Sequence, residues 1–105
     1  MKKLLPLLLL AGCAHSAAPR PTDADATRAR TRWPSVTLAE LDHGRTLYVG
    51  HCGNCHLPPK PSDHSPEEWP EHVAEMSERA GLEPSQAELV VRYVVTMASS
   101  TAPSP

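Results

Sequence analysis

The chain has 105 residues and a formal net charge of −2, so it is long enough for one small domain. Residues 35–105 carry ten acidic and four basic side chains, and this net charge of −6 argues against nucleic acid as a partner. The same charge favours a partner with a basic docking patch, or it simply keeps the domain soluble.

The beginning of the chain has the pattern of an export signal. Met1-Lys2-Lys3 is basic, and the apolar run Leu4–Ala11 that follows is too short to span a membrane. Leu10-Ala11-Gly12-Cys13 resembles the cleavage box of bacterial lipoproteins, in which a cysteine becomes the acylated first residue. We therefore expect residues 1–12 to be a lipoprotein signal peptide and Cys13 to anchor the mature chain at the periplasmic face of a membrane. An ordinary secretory signal with a chance cysteine is the alternative.

The residues after Cys13 predict a flexible connection. Residues 13–34 are rich in Ala, Pro, Thr, Asp and Arg without an apolar period, which is typical of a disordered tether. Its arginines could contact anionic lipid head groups, although a solvated linker is the favoured interpretation. Residues 99–105 are a second polar tail that we expect to be disordered. The folded domain is therefore predicted to span residues 35–98.

A first helix is predicted from residue 37 onward. Thr37 and Glu40 have the spacing of a capping box, and an apolar stripe follows toward residue 49. Gly44 interrupts this helix at a cost of about 1 kcal/mol relative to alanine. Its presence predicts that another element packs closely against that position.

Cys52-Gly53-Asn54-Cys55-His56 follows this helix and matches the attachment site of a c-type haem. Two cysteines at this spacing form thioether bonds to the porphyrin, and the next histidine reaches the iron as its proximal ligand. The alternative is a redox-active or zinc-binding cysteine pair, but zinc would require a second ligand pair at metal spacing. We therefore predict one covalent haem c, held by Cys52, Cys55 and His56.

The loop of residues 57–64 precedes a second predicted helix. Ser65-Pro66-Glu67-Glu68 has the pattern of a helix start, and we expect the regular helix to begin near Trp69 and to end at Gly81. Val73 and Met76 share one face of this helix with Trp69. That face is predicted to be its buried side.

Pro84 begins the last predicted helix, in which Leu89, Tyr93 and Met97 recur at a spacing of four residues. A domain of this size with few aromatic residues and no Phe has a marginal core. A covalent haem would supply the missing apolar bulk. The predicted fold is therefore all-α, with about three helices around one haem.

The order of these features resembles a small class I-like cytochrome c with one haem and His/Met axial ligands. The resemblance covers residues 36–97. It implies that the first and last helices cross, with Gly44 and Tyr48 of one packed against Tyr93 of the other. It also implies that a proline carbonyl, for which we choose Pro61 over Pro58 and Pro59, accepts the ring N–H of His56.

The sixth iron ligand is the least constrained part of the predicted site. The resemblance implies Met76, whose soft thioether suits haem iron, although a methionine on a helix face is often plain core packing. His72 is the main rival and His64 a weaker one. Trp69 is expected to line the porphyrin edge or to be an ordinary core aromatic. Met97 is interpreted as core packing, and His43 and His51 as solvated surface residues.

These residues are compatible with three functions. The first is a one-electron carrier that is not itself an enzyme, anchored to the membrane and acting on redox partner proteins. The second is a haem sensor or peroxidase-like enzyme with an open sixth position, in which Met76 does not bind and His72 serves as a distal group. The third is a haem-relay subunit of a larger oxidoreductase complex. The reactivity of the iron toward carbon monoxide separates the first two.

Overall fold

The protein is all-α over the residues that its computed structural model describes, 18–52 and 58–100. The elements in chain order are α1 (Asp23–Ala29), α2 (Leu38–Cys52), a short 3-10 turn (Pro61–Asp63), α3 (Trp69–Ala80) and α4 (Pro84–Ser100). The prediction of an all-α domain is confirmed, with one helix more than expected. None of the described helices combines the length and the apolar character that crossing a membrane requires.

The local signals at the helix ends act as predicted. The Thr37 hydroxyl accepts from the Glu40 amide and the Glu40 carboxylate accepts from the Thr37 amide, both at 3.1 Å, just before α2 begins. Ser65 and Glu68 exchange equivalent bonds of 3.0 and 3.2 Å ahead of α3. Gly81 ends α3 in the left-handed region at φ 73°, where glycine pays no steric penalty.

The largest helix contact is formed where α2 meets α4. A Cβ atom at Gly44 would overlap the carbonyl oxygen of Leu89 and lie 3.0 Å from the Tyr93 Cβ, so the two backbones touch only because residue 44 is glycine. One turn along α2, the Tyr48 ring lies 6.0 Å from the Tyr93 ring at an angle of 44°. The close packing predicted at Gly44, against Tyr93, is confirmed.

The main core lies between α2, α3 and α4. Tyr48, Trp69 and Tyr93 have no exposed surface, and the Trp69 and Tyr48 rings meet edge to face at 6.0 Å. The Trp69 indole donates to the carbonyl of Pro61 at 2.8 Å, and the Tyr48 hydroxyl donates to the carbonyl of Pro59. The polar ends of these aromatics therefore hold the proline-rich loop against the core.

The N-terminal segment differs from the prediction. Residues 18–34 were expected to belong to a disordered tether, but they contain α1, which begins with a reciprocal capping box between Thr22 and Asp25. Arg28 donates to the Asp25 carboxylate at 2.6 Å and to the Thr96 carbonyl of α4 at 3.1 Å. The folded part of the chain therefore also includes residues 18–34.

This segment folds because it contributes to a second apolar cluster. The sequence showed no sign of that cluster, because its apolar residues do not recur at a helical spacing. It consists of small or isolated side chains that α1 and α2 bury together: Ala26, Ala29, Val36 and Leu41. At the other end, α4 extends through Ser100, two residues into the predicted tail. Residues 101–105 lie outside the described part of the chain.

Candidate functional site

Cys52 is the residue of the predicted haem motif that the structure describes. It is the last residue of α2, it is half-buried against the main core, and it forms no disulfide. Burial raises the pKa of its thiol. The thiol therefore stays protonated to a higher pH than a solvated cysteine would.

Several predicted site residues fall outside the described ranges. Cys55 and His56 belong to residues 53–57, and the predicted lipidation site Cys13 belongs to residues 1–17. Their roles stay predictions. The geometry of the candidate site is therefore built from the residues that flank the motif on α2 and from those on α3.

His51 joins the end of α2 to the end of α3. Its ring nitrogen Nδ1 donates to the carbonyl oxygen of Ala80 at 2.9 Å, and its side chain is half-buried. Because a carbonyl only accepts, Nδ1 carries the proton in this bond. The prediction that His51 is a solvated surface residue is therefore wrong, whereas His43 is exposed as expected.

The contact at Ala80 completes the end of α3. The last carbonyls of a helix lack intrahelical partners. The Ser77 and Glu78 carbonyls accept from the amides of Leu82 and Gly81, at 3.0 and 3.3 Å. The Ala80 carbonyl receives the His51 ring instead. Cys52 therefore lies beside the C-terminal turn of α3.

Met76 occupies the face of α3 that was predicted to be buried. Trp69 and Val73 on this face are fully buried, but Met76 is only half-buried and belongs to neither apolar cluster of the described residues. Met97, in contrast, is 5% exposed and lies in the main core, as its interpretation as packing requires. Met97 is therefore a core residue, whereas Met76 lies at the edge of the core that the described residues form.

His72 and His64 form a separate group toward the start of α3. Their ring centres are 4.3 Å apart. The ring centre of Trp69 lies 4.8 Å from that of His64 and 5.4 Å from that of His72. An open pocket of about 230 Å³ lies here, lined by both histidines together with Glu68, Glu71 and Glu75. Three carboxylates make this pocket a polar environment, unlike the apolar crevice that a porphyrin ring prefers.

Distance along α3 separates the two candidate distal ligands. At 1.5 Å per residue, Met76 is about 6 Å along the axis from Ala80, and His72 is about 12 Å. Ala80 marks the point where His51, and hence Cys52, contacts α3. Met76 is therefore nearer along α3 than His72 to the contact with the end of α2.

The carbonyl chosen to orient His56 already has a donor. Pro61 accepts the Trp69 indole N–H at 2.8 Å, which leaves one lone pair on that oxygen. Trp69 itself is fully buried and fits the interpretation as a core aromatic. Its predicted contact with the porphyrin edge stays a prediction, as does the bond from His56 to Pro61.

Comparison with known proteins adds no family assignment. No protein-family model, no curated protein and no solved structure matches the chain. The function is therefore inferred from the chain's own residues and their contacts. Of these, sequence reasoning missed the role of His51, because its partner Ala80 is 29 residues away and no local pattern connects the two.

Proposed function

We propose that the protein is a small c-type cytochrome that carries single electrons at the periplasmic face of a bacterial membrane. The sequence Cys52-Gly53-Asn54-Cys55-His56 is the chemical basis of the proposal. The structural observation that carries it is the position of Cys52 at the end of α2. Earlier in the same helix, Gly44 packs against α4. The end of α2 then contacts the end of α3 through the hydrogen bond between His51 and Ala80. This arrangement supports a cytochrome c fold.

In this proposal each side chain has a defined task. Cys52 and Cys55 hold the porphyrin through thioether bonds, and His56 provides one axial ligand to the iron. Bound haem would supply a single iron that alternates between the ferrous and ferric states. The half-buried position of the Cys52 thiol fits a residue that ends in a thioether, because a thioether carries no charge.

Met76 is proposed as the second axial ligand. It is half-buried without belonging to a core cluster, and it lies one helical turn from the contact between α3 and α2. A thioether is a soft ligand that favours the ferrous state and so raises the reduction potential. Occupation of both axial positions suits electron transfer, since no ligand exchange is then needed.

The charge of α3 supports a basic redox partner. Glu71, Glu75 and Glu78 are exposed on this helix, and none of them forms an ion pair within the described residues. Unpaired carboxylates on one helix attract a positively charged surface and accelerate its approach at low ionic strength. Partner proteins with basic docking patches are therefore the expected electron donors and acceptors.

The axial ligand is tested by comparing three variants of the holoprotein. We expect Met76→Ala to retain its haem, to lose the far-red charge-transfer band of ferric iron bound to a thioether, and to bind carbon monoxide rapidly when reduced. Met97→Ala is the matched control, because it removes the same side chain from the core and should leave the spectrum unchanged. His72→Ala should also be spectrally silent.

Two outcomes would contradict this assignment. If His72→Ala opens the iron while Met76→Ala is silent, the protein is a bis-histidine cytochrome. If the unaltered protein binds carbon monoxide rapidly, its sixth position is open, and sensing or peroxidase-like catalysis would replace electron transfer as the proposed function.

A further inference from the structure

The first described residues are fixed to the domain. The Arg45 side chain donates to the Ala18 carbonyl at 2.7 Å, and the Tyr93 hydroxyl donates to the Pro19 carbonyl at 2.6 Å. Burial raises the pKa of Tyr93, so this hydroxyl stays protonated and remains a donor. The backbone therefore has a defined position from Ala18 onward, and the side chains that follow project from a fixed surface.

This segment carries three arginines that lie outside the ion pairs of the described residues. Arg20, Arg30 and Arg32, referred to below as the arginine group, are exposed. None of them forms an ion pair among the described residues, whereas Arg28 is neutralised by Asp25. The Arg30 Nε atom donates to the Val36 carbonyl at 3.0 Å, which holds that side chain in place.

The proposed lipid anchor is close to this segment along the chain. Ala18 is the fifth residue after Cys13, and a fully extended chain of five residues spans at most about 18 Å. The fixed part of the domain therefore cannot leave the vicinity of the bilayer. The short connection lets the charges of this segment come within one Debye length of the surface, about 8 Å at physiological salt, where the attraction to anionic lipid is strong.

We propose that the arginine group docks the domain on the anionic lipid head groups of the membrane that holds Cys13. The proposal extends the proposed membrane attachment and rests on it. The occupant is lipid, because the short connection keeps the domain near the bilayer and the charges are complementary. The same anionic surface repels the carboxylates of α3, so docking leaves that helix available to a soluble basic partner.

The test uses the chain from Ala14 onward, exported behind an ordinary cleavable signal, which omits the acylated cysteine and isolates the electrostatic contribution. Sedimentation with vesicles of equal parts phosphatidylglycerol and phosphatidylcholine, at low ionic strength, measures the partition coefficient. Arg20→Gln with Arg32→Gln should lower it about 30-fold, which is roughly five-fold per arginine. Lys60→Gln with Arg79→Gln is the matched control, because it removes two exposed charges elsewhere and should change the value less than three-fold.

Each outcome bears on the proposal separately from the haem. Partition that requires phosphatidylglycerol, weakens with salt and depends on the arginine pair supports docking. Equal losses in the two double variants would overturn it, because net charge alone would then explain binding. Absence of any binding by the parent would overturn it as well, even if the protein proved to be a haem-bearing cytochrome. Conversely, arginine-dependent binding by a protein without haem would leave docking intact and refute the proposed function.

Discussion

From the contact between α2 and α4 we predict that alanine substitutions at two glycines of α2 have opposite effects on stability. Gly44→Ala would place a methyl group against the carbonyl oxygen of Leu89, a backbone atom that cannot rotate away. Gly50 also lies in α2, but nothing lies within 4 Å of a Cβ atom built there. The two substitutions therefore make the same chemical change in opposite steric environments.

The expected magnitudes follow from these environments. Alanine in place of a helical glycine stabilises by about 0.5–1 kcal/mol where space allows, so Gly50→Ala should raise the free energy of unfolding by that amount. Gly44→Ala has the same gain but also overpacks the helix contact, which costs about 1–3 kcal/mol or more when backbone must shift. The difference between the two variants therefore isolates the steric cost.

Urea unfolding followed by circular dichroism measures this difference. For a domain of this size, 1 kcal/mol corresponds to about 4–8 °C in Tm, so thermal unfolding provides an independent check. Gly44→Ala should be the less stable variant by at least about 1 kcal/mol. Equal stabilities would refute the close approach of α2 and α4, and with it the structural support for a cytochrome c fold.

Two further predictions concern hydrogen bonds that the structure adds. His51→Ala should lower the free energy of unfolding by about 0.5–1.5 kcal/mol because the Ala80 carbonyl loses its donor, whereas His43→Ala at an exposed position should change little in the same urea assay. Burial acts to raise the pKa of Asp25, but hydrogen bonds from Arg28 and Thr22 outweigh it and hold that pKa below 3.8. The resulting stability is present above pH 3.8 and is lost as pH falls through the lower folded-state pKa, so Asp25→Asn should flatten the acid limb of the stability profile.

The structure agrees best with expectations that depend on neighbouring residues. The capping box at Thr37, the glycine stop at Gly81 and the start of α4 at Pro84 are all encoded within a few positions, and all are found. Gly44 was also informative, because a glycine inside a helix has a cost that close packing explains. Helix ends, and a close helix contact at a glycine, can therefore be predicted from the sequence alone.

The missed features depend on distant partners. The segment containing α1 has the local Thr22–Asp25 capping pattern, which was an available signal, but its seven-residue helix has no stripe of large apolar side chains. It is held by α4 through Arg28, whose acceptor on Thr96 is 68 residues away. The contact between the ends of α2 and α3 likewise depends on His51 and Ala80, which are 29 residues apart. The periodic pattern of apolar residues does not reveal contacts between residues that are so far apart in the sequence.

Covalent attachment of haem is the claim on which the proposed function depends most directly. The measurement is the mass of the exported, purified protein under denaturing conditions, followed by mapping of the peptide that contains Cys52 and Cys55. We expect one haem that remains on this peptide after unfolding and that is lost in the variant with both cysteines changed to alanine. A parent protein whose denatured mass is that of the bare polypeptide, with both thiols free, would contradict it.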